Sequence, residues 1–468
     1  MTIRSISTIG LLAVSVAACS DPTSDTPTST VVAYEGATLI IGDGGPPLGG
    51  GVLVVDQGII SEVGLAANVT IPKNATVVDL TGKTVMPTIV DLHGHVGYQR
   101  GLSYNKENYT RENLIDHLNR YAYYGVGTIV SMGTDPGDLA FQIQTEQQAG
   151  TLGGARLHTA FRGFASPDAG PGAAALRSSA YGVSTEAEAR TLVAELSETP
   201  ADFVKIWVDD RGGLVNKLSP ELYRAIIEEA HTRDLQVIAH VFALEDARAL
   251  VEAGVDGFAH LVRDAEMDDT LVAAIVDKGV FVMPNLGISE RGRSATPPPW
   301  LDDPLLLESV SSAEVGRLRA SFERRTPEDA ERAQVSYVAM ERSLKRLADA
   351  GADIVLGADT GVQDHFFGYT EQRELELIVN AGVSPGNAIV AATSRAAKIL
   401  GVETGLLAAG KRADFLVLDA NPLYDITNIR QIAAVYLNGV ELDREALRAD
   451  WSEQATVTGA KVSTVERR

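Results

Sequence analysis

The sequence predicts an α/β protein, a (β/α)8 barrel with a small β-sandwich attached. Three observations carry that expectation. Eight short β-rich runs recur between residues 87 and 400. Amphipathic stretches with helical spacing, such as PELYRAIIEEAHTRD and ALEDARALVEAG, lie between several of them. The chain of 468 residues also has room for one barrel of about 250 residues and a second, smaller unit. Strands alternating with helices form parallel sheets through helical crossovers, which is the TIM-barrel pattern.

The first five runs cover residues 89–92, 127–131, 157–161, 203–208 and 237–242; residues 257–261, 280–283 and 354–357 complete the set. Ahead of them, alternating apolar residues between Gly-Gly and Asp-Gly signals read as short strands. After them, KRADFLVLDA and IAAVYLNGVEL return to the same texture. Neither piece alone buries much, so residues 31–86 and 401–445 are expected to form one composite β-sandwich around a barrel spanning 87–400. The tail, 446–468, is polar and expected to be loose. No internal repeat is present.

Composition narrows the function. Hydrophobic residues at 45% and charged residues at 22% are ordinary for a globular chain and exclude a disordered or fibrous one. Forty Lys and Arg against 62 Asp and Glu leave a net charge of −22, which repels nucleic acid and anionic membranes. The partner expected is a small molecule, an amide or a peptide. A homo-oligomer is compatible with this composition.

The single cysteine, Cys19, excludes an intramolecular disulfide and an all-cysteine zinc site. It follows Arg4 and an apolar run from Ile6 to Ala18 that is too short to span a membrane but suits a secretory signal over residues 1–19. Val16-Ala17-Ala18-Cys19 resembles a bacterial lipoprotein signal, in which Cys19 is lipidated; ordinary signal cleavage near Ala18 is the alternative. Residues 20–30, SDPTSDTPTST, read as a flexible linker. A periplasmic or envelope-anchored protein is expected, touching the membrane only through its lipid.

Four histidines stand at the ends of strand runs. His93 and His95 follow the first run and, two apart on an extended segment, point the same way, so both imidazoles reach one ion. His240 ends the fifth run and His260 the sixth, while Asp359 lies just past the eighth. Barrel enzymes keep their chemistry at these carboxyl ends. Taken singly, each is also explained as a satisfied core residue. Lys205 is the second anomaly, for it sits in Phe203-Val204-Lys205-Ile206-Trp207-Val208, in phase with Phe203 and Trp207. A buried unpaired ammonium is costly. Either a salt bridge compensates it, or burial neutralises the amine and it takes up carbon dioxide as a carbamate. His117 and His231 fall on helical segments and are expected at the surface, whereas His158 and His365 are weaker candidates for the site.

These residues, with Lys83-Thr84-Val85-Met86-Pro87, Gly357-Ala358-Asp359-Thr360-Gly361 and Gly410-Lys411-Arg412-Ala413-Asp414, resemble the amidohydrolase superfamily. The likeness is to its branch of imidazolonepropionase-like enzymes and Xaa-Pro or Xaa-Arg dipeptidases. It implies two divalent ions, usually zinc. His93, His95 and Asp359 would hold one ion and His240 and His260 the other, with Lys205 bridging as N6-carboxylysine. It implies hydrolysis of an amide C–N bond in a small peptide, N-acyl amino acid or related amide by a hydroxide held between the ions, with Asp359 as proton shuttle. A lactonase or esterase on the same site, or a tethered binding protein without catalysis, are the alternatives.

The chain departs from the family at Pro87-Thr88, where Pro-Gly is usual. Lys205 argues against the mononuclear imidazolonepropionase activity. The segment Val241-Phe242-Ala243-Leu244-Glu245 lacks the glutamate spacing of the deaminases. Specificity should lie in two long loops, 162–181 and 287–304. Arg162, Arg211, Arg263 and Arg291 near strand ends are candidates to meet a substrate carboxylate, and Tyr98 and Trp207 to line a pocket.

Overall fold

Alternating apolar residues at both ends of the chain build one mixed sheet. The computed structural model describes residues 31–453, and eight of their strands form this sheet. Its order runs Val440–Glu441, Ile432–Leu437, Phe415–Leu418, Thr84–Pro87, Val31–Leu39, Leu48–Asp56 and Ile59–Leu65, with Thr76–Asp79 pairing against Val31–Leu39 off that path. N- and C-terminal segments meet where Thr84–Pro87 runs antiparallel to Phe415–Leu418, with Val85 opposite Val417. Successive residues face opposite ways. Leu53 and Val55 join Tyr34, Phe415 and Tyr436 on one side, while Val52 and Val54 join Ala33 on the other. The expectations for the signal, Cys19, the linker and the tail from residue 454 lie outside the described residues.

Seven of the eight expected runs are strands, and all pair in parallel. Arg156–Thr159, Val126–Ser131 and Ile89–Gly94 make one sheet; Tyr181–Gly182, Phe164–Ala165, Val204–Val208, Val237–Val241, Gly257–Ala259 and Phe281–Met283 make another. Phe203, Ile238, Met283 and Val355 pack together in one cluster, while Val204, Ile206, Val237 and Ala239 face the larger core shared with the helices. Helices return the chain between strands and start on side-chain caps. Thr110 receives the Asn113 N–H, Thr185 that of Glu188 and Asp268 that of Leu271.

Two expectations are corrected, and one loop is filled in. The eighth run, 354–357, is not a continuous strand: it meets the seventh at an isolated bridge of Val282 with Ile354, where the Val355 N–H bonds the Val282 carbonyl, and the first where the Leu356 carbonyl accepts the Leu92 N–H at 3.1 Å. The Leu356 N–H itself goes to the Ala391 carbonyl, 3.0 Å away on helix Pro385–Ala392, so the ladder is not continued past these bonds. The loop 162–181 carries a short strand of its own. Phe161, at φ 51°, turns the chain out of the third strand, and Phe164–Ala165 then inserts beside Val204–Val208. Residues 444–453 are helical rather than loose, because Trp451 is buried and donates to Asp116 Oδ1 at 2.7 Å. Among the described residues no helix is long and apolar enough to cross a membrane.

Candidate metal centre

The carboxyl ends of the parallel strands bring the predicted residues to one place. His93 closes strand Ile89–Gly94, and His95 follows it. Asp359 is carried in by a turn that a side chain at Gly361 would break, since its φ is 81° and a Cβ there would collide with the His95 carbonyl. His95 Nε2 lies 3.0 Å and His93 Nε2 3.4 Å from Asp359 Oδ1. The ligand atoms of these three residues fall within 4.8 Å of one another. Tetrahedral zinc with bonds of about 2.0–2.1 Å holds its donors roughly 3.3 Å apart, so the set fits one ion. His260 adjoins it, with Nε2 3.8 Å from Asp359 Oδ2 and its ring 5.2 Å from that of His93. His240 lies beyond, 4.6 Å from His260 between ring centroids.

Each of three histidines has one nitrogen occupied and the other free for a ligand bond. The His95 Nδ1 contact is Thr134 Oγ1 at 3.0 Å, and that of His93 Nδ1 is Asn285 Oδ1 at 3.4 Å. His240 Nε2 donates to Asp209 Oδ2 at 3.0 Å, and Arg211 binds the same oxygen at 2.9 Å. Burial holds His93 and His260 well below the usual histidine range and His240 at about 3, so all three are neutral, as ligands must be. Burial pushes Asp359 up, but His93 and His95 outweigh it and keep the carboxyl well below its ordinary value.

Lys205 is fully buried, and its Nζ has no hydrogen-bond partner. Burial lowers it to about 7, with Asp359 opposing and Arg211 reinforcing the shift. Among the described residues no carboxylate forms a salt bridge with it, so a simple ion pair does not compensate the buried amine. Gly133 makes the space: a Cβ there would lie 2.8 Å from Lys205 Cβ, at a φ of 84° that itself favours glycine. His260 Nδ1 is a second buried atom without a partner. An orphaned amine beside four imidazoles and a carboxylate is a donor set suited to divalent ions.

Several functional residues went unread in the sequence. Asn285 accepts the His260 N–H at 2.9 Å while contacting His93, and so links both ends of the cluster. It holds φ 48°, fixed by Glu374, which accepts the Leu286 and Gly287 N–H groups at 2.7 Å each. Asp91 accepts the His93 N–H at 2.8 Å. Burial raises Asp91 to about 7 and Glu371 well above its usual range, so this adjoining pair of carboxyls retains a proton. Asp209 and Asn285 stand just past the fourth and seventh strands, where the rule that located the histidines also points. Glu371 and Glu374 sit in helix Tyr369–Asn380, and only their fully buried acidic side chains mark them. His260, Asn285 and Asp359 all have positive φ, local strain of about 1–3 kcal/mol each, of the sort concentrated at working sites.

The remaining candidates separate. His117 is buried, not exposed: its Nδ1 accepts the Gly97 N–H, its Nε2 donates to the Gln99 carbonyl and its ring stacks 3.9 Å from Phe367. His231 is exposed and pairs with Asp256. His158 pairs with Asp202 outside the cluster, whereas His365 reaches it, with Nδ1 3.0 Å from the Asp359 carbonyl. Tyr98 is buried and donates to the Thr134 carbonyl, and Trp207 packs on Ala165 and Ala169. Thr88, the departure after Pro87, is accommodated by Gly127, where any Cβ would collide with it.

Imidazoles and a carboxylate gathered at the carboxyl ends of parallel strands define a metal-dependent enzyme of the α/β class. The chain belongs to the Amidohydrolase family, whose sequence pattern matches residues 84–442, and with it comes a TIM-barrel-type fold. Ochratoxinase of Aspergillus niger is 26% identical over 228 residues, 47% of this chain and 40% of that one, so the chain spans well under half the length of this curated relative. A candidate prolidase from Bifidobacterium longum superposes with a TM-score of 0.69 at 28% identity, over 91% of this chain and 100% of that one. The structure of the A. niger ochratoxinase gives a TM-score of 0.70 at 21% identity, over 88% and 95%.

Proposed function

We propose that this chain is a binuclear hydrolase that cleaves the amide C–N bond of a small peptide or N-acyl amino acid. The observation that carries the reading is the buried, unpartnered Lys205 amine amid His93, His95, His240, His260 and Asp359. As the carbamate it would become an anion with two oxygens; His93, His95 and Asp359 would hold one ion and His240 and His260 a second, with Lys205 serving both. Two such ions, zinc in this reading, would supply Lewis acidity and a water acidified toward neutral pH. The two parallel sheets are read as arcs of one barrel over residues 87–400, and the mixed sheet as part of a sandwich over 31–86 and 401–445.

The protein's own groups supply the rest. Asp359, kept ionised by His93 and His95, accepts the proton of the attacking water and returns it to the leaving amine. Asp209 and Thr134 fix the imidazole orientations, and Asn285 sets the distance between His93 and His260. The test is hydrolysis of dipeptides, N-acyl amino acids and lactones by the wild type and Asp359→Asn. Turnover of amides, abolished in a variant that keeps its fold, supports the assignment. Full activity in Asp359→Asn, or turnover of lactones alone, overturns it. We also propose that Cys19 carries a lipid anchor to the cell envelope. Cys19→Ala should then move the protein from the membrane to the soluble fraction, and an unchanged distribution would refute the anchor.

A further inference from the structure

Four arginines lie near the strand ends, and three are spent. Arg162 donates to the Ser179 and Ala180 carbonyls and lies 4.1 Å from the Tyr181 ring. Arg291 donates to the carbonyls of Gln363 and Asp364. Arg211 is paired with Asp209 at 2.9 Å and bonds the Gly170 carbonyl. Arg263 differs. Like Arg162 and Arg291 it pairs with no carboxylate among the described residues, and like Arg211 and Arg291 its Nε is buried without a partner, but its Nη2 reaches only the Val241 carbonyl at 3.4 Å and His240 Nε2 at 3.5 Å, longer than any carbonyl bond of the other three. Its backbone is nevertheless fixed, the N–H bonding the Phe242 carbonyl at 2.9 Å. The guanidinium lies 4.9 Å from the centre of the Phe242 ring, a side chain that is 40% exposed.

A half-buried guanidinium with a free edge wants an anion, and planar bidentate pairing makes that anion a carboxylate. The contact with His240 puts this cation on the wall of the metal centre rather than on the outer rim. The carboxylate carbon of an N-acyl amino acid is three bonds from the scissile carbonyl carbon, so its partner must stand next to the metal ligands, as Arg263 does beside His240. We propose that Arg263 binds the free carboxylate on the amine side of the substrate, so that the enzyme acts on N-acyl amino acids and dipeptides with an unblocked C-terminus. The open face of Phe242 borders the same place and receives the adjoining apolar group. This assignment rests on the hydrolase reading above for its chemistry but not for its test.

The experiment compares N-acetyl-leucine with N-acetyl-leucinamide on the metal-loaded protein, as wild type, Arg263→Met and Arg263→Lys. Wild type should favour the free acid by about a hundredfold in kcat/KM, the scale of a lost charge pair. Arg263→Met should bring the two compounds within a few-fold of each other through a rise in KM for the acid alone. Arg263→Lys should retain part of the preference and shows that the fold survives substitution. Calorimetric binding of the same two compounds reads the preference even if neither is hydrolysed, so failure of the hydrolase reading leaves this test standing. A preference undiminished in Arg263→Met, or an equal loss on both compounds, overturns the proposal.

Discussion

The two sides of the metal centre are built differently. On one side His93, His95 and Asp359 come from a strand end and a turn clamped to it by short backbone bonds, Asp359 N–H to the His93 carbonyl and His95 N–H to the Thr360 carbonyl at 2.7 Å each. Their ligand atoms already lie within 4.8 Å of one another. On the other side Lys205, His240 and His260 come from three adjacent strands, and Lys205 brings an amine with nothing to bond. The first side can hold an ion with the side chains as synthesised. In the proposed reading the second is completed by conversion of Lys205 to the anionic carbamate. Metal affinity and activity should therefore respond differently to changes on the two sides.

The largest effect is expected at Lys205. Lys205→Ala should lower kcat at least about a thousandfold, and a short carboxylic acid added to the assay should restore part of it by standing in for the carbamate. Wild-type activity in the variant would break the comparison. The amine also makes a prediction for the metal-stripped chain. Its folded value is about 7, against about 10.5 when unfolded. Between those values the unfolded chain holds a proton that the folded chain lacks, so stability is present above 10.5 and is lost as the pH falls toward 7. The loss is on the order of a few kcal/mol. Urea unfolding should show this slope, and Lys205→Met should flatten it.

Asn285 sharpens the comparison because it touches both sides. Asn285→Ala should weaken metal binding about 10- to 100-fold, as loss of a ligand-orienting contact does, and a competitive chelator titration measures it. Unchanged affinity would mean that the contact with His93 contributes nothing. The smallest effect is remote from the centre: Trp451→Phe removes the bond to Asp116 and should cost about 1 kcal/mol in chemical unfolding without changing kcat.

The residues easiest to read were those whose chemistry conflicts with their surroundings. Histidines at apolar strand ends and a lysine inside a strand are improbable as packing. His117 escaped because burial of a helical histidine depends on where the Gly97–Gln99 backbone passes, a contact no local pattern encodes. The eighth run departs from a continuous strand for a similar reason, since the Leu356 N–H goes to a helix carbonyl although Val355 and the Leu356 carbonyl bond the neighbouring strands. Phe164–Ala165 is too short to register as a run. Glu371 and Glu374 resemble any helical acids until the fold buries them, and Trp451 became an anchor only once Asp116 stood opposite.

Counting metal tests the central claim most directly. Elemental analysis of the purified protein should give about two equivalents of zinc or a similar divalent ion per chain, falling toward one in Lys205→Ala. One equivalent in both proteins would contradict the account and return Lys205 to a structural role.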